Sequence, residues 1–101
     1  MRLLKFGAKW CAPCKALAKP LEAALTTRPQ FELQVVDLES KADNDKDLLK
    51  RHRIQAVPTL LLVDEAGKVL RRLVGLPTRK ELEAFLDKPI KAARKRKAKL
   101  Q

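Results

Sequence analysis

Trp10-Cys11-Ala12-Pro13-Cys14-Lys15 carries both cysteines of this 101-residue chain, with two residues between them. At that spacing two thiols can close a small ring if a helix begins there. Pro13 favours such a start, because its missing N–H costs nothing in a first helical turn. Cys11 then lies at the helix N-terminus, among backbone N–H groups that have no intrahelical partner. Those groups and the positive end of the helix dipole favour thiolate over thiol, lowering the pKa from about 8.5 for a free cysteine. Cys11 is therefore the expected nucleophile, exposed to attack a target disulfide. Cys14, three positions on and facing the same side, is expected to be shielded one turn inward and to reach back to resolve the mixed disulfide. The other chemistry that uses this spacing is half of a zinc site. Structural zinc takes four protein ligands, and His52 is the one further soft ligand in the chain. Redox chemistry is therefore expected of the pair, with no metal and no bound cofactor. His52 itself follows two basic residues near an expected helix end, where a solvated side chain is the ordinary case.

Upstream, Arg2-Leu3-Leu4-Lys5-Phe6 reads as a short strand that delivers the chain into the cysteine loop. Downstream, residues 13–27 read as a helix, with Leu17, Leu21, Ala24 and Leu25 at helical spacing opposite Lys15, Lys19 and Glu22. Pro20 lies inside that pattern and should kink it. After a turn over 26–30, Phe31 to Leu38 alternates and then becomes apolar, a strand parallel to the first by a right-handed crossover. Residues 40–53 are polar, with Leu48, Leu49 and Ile54 as their apolar side. Asp43, Asp45 and Asp47 come early there, and Lys50, Arg51 and Arg53 late, which suits a helix dipole. Thr59-Leu60-Leu61-Leu62-Val63 is continuously apolar and so reads as a buried strand, and Asp64-Glu65-Ala66-Gly67 turns it into a hairpin with Lys68 to Val74. Thr78 caps a last helix, with Glu81 in the capping-box position, Leu82, Phe85 and Leu86 facing inward, and Pro89 interrupting it. From Ile90 onward the Ala, Lys and Arg residues could extend the helix or stay without fixed structure.

With 46% hydrophobic and 35% charged residues, 101 residues make one domain with a single core. Two cysteines do not make a disulfide scaffold. The opening MRLLKFGAKW is too short in apolar residues for the core of a signal peptide, and no later run approaches membrane-spanning length. The expected compartment is the cytoplasm, with no membrane contact, and a close thiol pair there is more plausibly catalytic than structural. The net charge of +11 is concentrated at one end: residues 88–101 hold seven Lys or Arg and no acid, while residues 1–87 hold sixteen against twelve. The expected division is a domain over 1–87 and a basic C-terminal tail over 88–101. That tail reads either as a solubilising terminus or as a non-specific contact with a polyanion, nucleic acid or an acidic protein. It has no aromatic residue on which bases could stack.

The run WCAPCK resembles the active site of the thioredoxin family, usually WCGPCK. Two more matches carry the resemblance: Val57-Pro58-Thr59, ahead of the apolar run, matches the family's cis-proline loop, and Gly75 matches the glycine after its last strand. The likeness covers residues 2 to 87. It implies an α/β thioredoxin fold in a minimal form, βαβαββα, since longer members carry a further strand and helix ahead of the strand that enters the cysteines. The four-strand mixed sheet would have the spatial order 2-1-3-4, with the third strand antiparallel to the first two and helices flanking it. It implies a protein dithiol–disulfide oxidoreductase in which Cys11 and Cys14 are catalytic, acting on protein disulfides such as those of ribonucleotide reductase. Electrons would come from a flavin-containing thioredoxin reductase. Trp10 would be a surface aromatic beside the site, Pro58 would be cis against the disulfide, and the Val57 backbone would pair with an extended substrate by strand addition. Gly75 would join that substrate surface, with Pro13 and Lys5 supporting the site.

The chain departs from the family at Lys5, where thioredoxins usually carry a buried aspartate that helps move the proton of the second cysteine. Val35 stands where they carry the accompanying lysine, Gly7 where an aromatic is common, and Lys19 where their kinking proline falls. Lys5 either reaches solvent, leaving the site without a carboxylate, or stabilises thiolate at Cys14. The alternative function is a thioredoxin-fold accessory binding module of a nucleic-acid machine, using the basic tail, with redox activity incidental.

Overall fold

The computed structural model describes residues 1–89, so most of the basic tail, residues 90–101, lies outside the described residues. The elements run β1 (Arg2–Gly7), α1 (Ala12–Thr26), β2 (Glu32–Asp37), α2 (Asp43–Arg51), β3 (Thr59–Val63), β4 (Val69–Val74) and α3 (Arg79–Asp87). The βαβαββα order is the one that the hydrophobic periodicities give. One four-stranded sheet has the order β2-β1-β3-β4. β1 pairs in parallel with β2 and antiparallel with β3, so Lys5 lies between Val35 and Leu60. β3 also pairs antiparallel with β4.

β3 explains why a run of unbroken apolar residues was needed. It has a neighbour on each edge and helices over each face, so all five residues are buried, four of them apolar and the fifth, Thr59, with its hydroxyl donating to the Ala56 carbonyl at 2.7 Å. Removing such leucines from water stabilises the fold by about 1.5–3 kcal/mol each. Alternation along β1 divides the core in two. Leu3 joins Leu60, Leu62, Leu17, Leu21 and the α3 residues Leu82, Phe85 and Leu86 on one face of the sheet. Leu4 and Phe6 join Val36, Leu61 and Val63 on the other, where Leu48 and Leu49 of α2 pack. α1 and α3 therefore cover one face and α2 the other. Lys5 and Gly7, in phase with Leu3, point to the α1 side.

The ends of the elements follow local chemistry. Asp64 Oδ1 accepts the N–H groups of Ala66 and Lys68 at 2.9 Å, and Gly67, at φ +87°, closes the β3–β4 turn. Thr78 and Glu81 form the reciprocal capping box of α3. That helix stops at Asp87, because Lys88 precedes Pro89 and adopts the extended ψ of 135° that a following proline demands. α1 runs through Pro20 as one element, with Pro20 and Ala16, whose carbonyl loses its partner, both exposed. α2 is shorter than the polar stretch that contains it, with Asp43 and Asp45 in its first turn and Lys50 and Arg51 in its last. Arg28 grips Asp87 through two hydrogen bonds of 2.7–2.8 Å and donates a third to the Ala24 carbonyl, tying the end of α1 to the end of α3.

Candidate active site

β1 ends at Gly7 and α1 begins at Ala12, so the four residues between them must bring the chain off the sheet and into a helix. The Cys11 N–H donates to the Ala8 carbonyl at 3.1 Å, which fixes Cys11 as the N-cap of α1 in extended conformation. Pro13 occupies the first turn, where its lack of an N–H leaves nothing unsatisfied. The Cys11 Sγ accepts the backbone N–H of Cys14 at 3.2 Å, a capping bond usually made by an oxygen. An N–H aimed at this sulfur, together with the N-terminal end of the helix dipole, favours negative charge on it once it is released as a thiolate.

Cys11 and Cys14 are joined as a disulfide, with their Cα atoms 5.2 Å apart. Both are buried, at 4% and 5% exposure, and pack with Ala8, Leu38 and Val57. In this oxidised state both cysteines lie against the same apolar neighbours, while the expected contrast between an exposed Cys11 and a shielded Cys14 concerns the reduced protein. Their chemical difference lies elsewhere. Cys11 Sγ carries the capping hydrogen bond, whereas Cys14 Sγ faces β1, where a Cβ on Gly7 would stand only 3.4 Å from it.

The segments that were separated in sequence meet around this ring. Val57 packs on the cysteine cluster, and the Val57–Pro58 peptide bond is cis. Gly75 donates its N–H to the Pro58 carbonyl at 2.8 Å, and its φ of +93° lets the chain turn away from β4 at that point. Trp10, beside Cys11 in the chain, is 65% exposed. A disulfide at a helix start thus lies beside a cis-proline loop. The family model described as Thioredoxin matches residues 1–88. The chain belongs to the thioredoxin family.

Mouse mitochondrial thioredoxin is 35% identical over 88 residues, which cover 87% of this chain and 51% of that protein. Thioredoxin C-2 of Corynebacterium nephridii is 34% identical over 87% of this chain and 78% of its own length. The chain thus spans about half the length of the mitochondrial relatives it matches. Among solved structures, thioredoxin-2 of the malaria parasite, a component of that organism's protein secretion machinery, superposes with a TM-score of 0.74 at 22% identity. That match covers 87% of this chain and 82% of that one. At that identity the likeness is one of fold.

Against this thioredoxin frame, the residues singled out in sequence fall into two groups. Cys11, Cys14, Val57, Pro58 and Gly75 are brought together, with Trp10 adjoining Cys11 and Pro13 between the two cysteines in the first turn of α1. Lys5 stands apart from them behind the ring. It is half-buried on the α1 side of β1 and lines a shallow cavity of about 230 Å³, open to solvent, with Gly7, Cys14, Ala18, Val35 and Asp37. Val74 and Leu76, each about half exposed, flank Gly75 and add apolar surface that sequence reading missed. Their positions on either side of the glycine were the available signal. His52 is a correction. It is buried at 9% exposure, because its ring packs edge-on to Phe6 at 6.3 Å and Arg72 ties its carbonyl at 2.7 Å. Burial, followed by the charges of Arg51 and Arg72, pushes its pKa below the usual histidine range. Among the described residues no three His, Cys, Asp or Glu side chains are grouped to hold a metal ion, and no helix is long and apolar enough to cross a membrane.

Proposed function

We propose that this chain is a thiol–disulfide oxidoreductase that reduces protein disulfides. The observation that carries the reading is the bond between a cysteine that caps a helix and a second cysteine one turn on, beside an apolar, solvent-facing border. In the reduced protein Cys11 Sγ, as thiolate, attacks one sulfur of a target disulfide. A Cys11–target bond forms and the other target sulfur leaves as a thiolate that takes a proton from water. Cys14, as thiolate, then attacks Cys11 Sγ, closes the Cys11–Cys14 bond and expels the second target sulfur. Two electrons have passed from the cysteine pair to the target. Resetting the pair needs an external donor, to which we assign a flavin-containing reductase of the thioredoxin-reductase kind. A cycle that starts from dithiol fits a reducing compartment, and the cytoplasm is our assignment.

Substrate chemistry follows from the border. Trp10 supplies a flat apolar contact, while the Val57 backbone offers its polar groups to an extended segment carrying the target disulfide, with Pro58 and Gly75 beside it. The end of α3 at Asp87 supports a domain over residues 1–87, with residues 88–101 as a separate basic extension. Seven charges in that extension suit sequence-independent contact with polyanions by counterion release.

Reduction of insulin disulfides by dithiothreitol, followed by turbidity, tests the reading. The wild-type chain should accelerate it and Cys11→Ser should abolish the acceleration. Cys14→Ser should instead accumulate a covalent adduct with the target through Cys11. Acceleration that survives Cys11→Ser would overturn the assignment.

A further inference from the structure

The inference concerns the inner side of the disulfide and rests on the oxidoreductase reading. Resolution of the mixed disulfide requires Cys14 as a thiolate, yet Cys14 is buried and no capping N–H reaches its sulfur comparable to the one on Cys11. A thiol buried in apolar surroundings titrates late. Something in its surroundings must offset that burial if resolution is to run at neutral pH.

The groups around it are few. The cavity behind Cys14 is lined by charged residues from each element that borders it: Lys5 from β1, Lys9 from the loop, Lys15 from α1 and Asp37 at the end of β2. Lys9 and Lys15 are exposed, so water and salt screen them. Asp37 already accepts the Glu39 N–H at 2.7 Å, and its negative charge opposes a thiolate. Lys5 differs from the other two lysines in being half-buried, and it shares with Gly7 the side of β1 that faces α1; none of the four charged residues forms an ion pair among the described residues. The space it lines exists because small residues surround it. Gly7 has no side chain, Ala18 is short, and Val35, its partner on β2, brings no competing charge.

We propose that Lys5, which lines the same cavity as Cys14, is the positioning residue of the resolving step: its positive charge holds Cys14 as the thiolate that attacks Cys11. A protonated lysine cannot take the thiol proton, which passes to water. Lys5 supplies only the opposite charge that favours the ionised sulfur. The electron count is that of the exchange above, with no further oxidant or reductant.

Stopped-flow reaction of the reduced full chain with 5,5′-dithiobis(2-nitrobenzoate) separates the two cysteines. The first thionitrobenzoate is released when Cys11 attacks the reagent, and the second when Cys14 resolves the Cys11 mixed disulfide. In Lys5→Met the pH midpoint of the second phase should rise by about one unit, slowing that phase roughly tenfold below the midpoint. The first phase should not change, and Lys5→Arg should restore the wild-type profile. Lys5→Gln is measured alongside, so that loss of folding in one neutral variant leaves the other to decide. Second-phase profiles that coincide in wild type and a folded neutral variant would overturn the proposal. So would an equal shift on Lys9→Met or Lys15→Met, which would trace the effect to the general field. Slowing by Asp37→Asn without slowing by Lys5→Met would make the carboxylate the proton acceptor instead. Release of only one thionitrobenzoate by wild type would overturn the oxidoreductase reading as well, so the two failures are distinct.

Discussion

On its outer side the Cys11–Cys14 ring is bordered by Trp10, the Val57–Pro58 peptide and Gly75 with Val74 and Leu76 on either hand, none of them ionisable. On its inner side it backs onto a cavity with three lysines and one carboxylate. A glycine stands on each side for a different reason. Gly75 has nothing within 4 Å of where a Cβ would be, and is needed for its positive φ. Gly7 has ordinary backbone, and a Cβ there would stand in van der Waals contact with Cys14 Sγ. The difference assigns the two halves of the reaction to different surroundings. Docking a protein chain asks for apolar contact and unpaired backbone groups. Timing the second thiolate asks for charge at a buried sulfur.

The largest effect should come from filling the inner side. In Gly7→Val the Cβ would sit in ordinary contact with Cys14 Sγ at 3.4 Å, and it is the two further methyls that must displace the sulfur or enter the cavity. Overpacking of this kind costs about 1–3 kcal/mol. Urea denaturation of the oxidised protein should register that loss, with the second thionitrobenzoate phase altered as well. A valine accepted without loss of stability would mean that the inner side is not closed on Cys14.

An outer-side change should leave the chemistry intact and weaken docking. Trp10→Ala removes an aromatic contact that sits in solvent in the free protein, and truncating an interface aromatic of this kind costs on the order of 1–2 kcal/mol. Insulin reduction should slow by about tenfold, while the small-molecule reagent releases its first thionitrobenzoate at the wild-type rate. Equal slowing of both would place Trp10 in the inner, electrostatic group.

The outer side was far more legible in the sequence than the inner one. The cysteine spacing with Pro13 pointed to a helix start, and the Val57-Pro58-Thr59 run and Gly75 stood out as motifs. The framework was legible for the same kind of reason. Leu17 and Leu21 at helical spacing, four apolar residues in a row at 60–63 and the Thr78/Glu81 box are local signals. What escaped depends on residues far apart in the chain. The cavity needs Gly7, Ala18 and Val35, from three elements, to be small or uncharged at one spot, and no window of sequence contains all three. His52 looked like a solvated residue after two basic ones, since its burial is set by Phe6 on β1 and Arg72 on β4.

His52 gives the smallest effect and the one that separates the pH dependence of the fold from that of the site. Its ring lies against Phe6, in phase with Leu4 and so on the α2 side of the sheet, away from the cavity behind Cys14. Burial first, then Arg51 and Arg72, lower its folded pKa, with Asp47 pulling weakly the other way. Above the unfolded pKa of about 6.5 the ring is neutral in both states and no proton is exchanged on unfolding. As the pH falls below that value the unfolded chain takes up a proton that the folded chain still refuses. Stability therefore declines with falling pH until the folded-state pKa is passed, where the slope ends. The urea midpoint should be lower at pH 5.5 than at pH 7.5 in the wild type, and nearly level between them in His52→Gln. The second thionitrobenzoate phase should keep its wild-type pH profile in His52→Gln, because no charge facing Cys14 has changed. A resolving step that moved with His52 would join the two faces of the sheet into one titrating system, and the assignment of proton control to the inner cavity would fall with it.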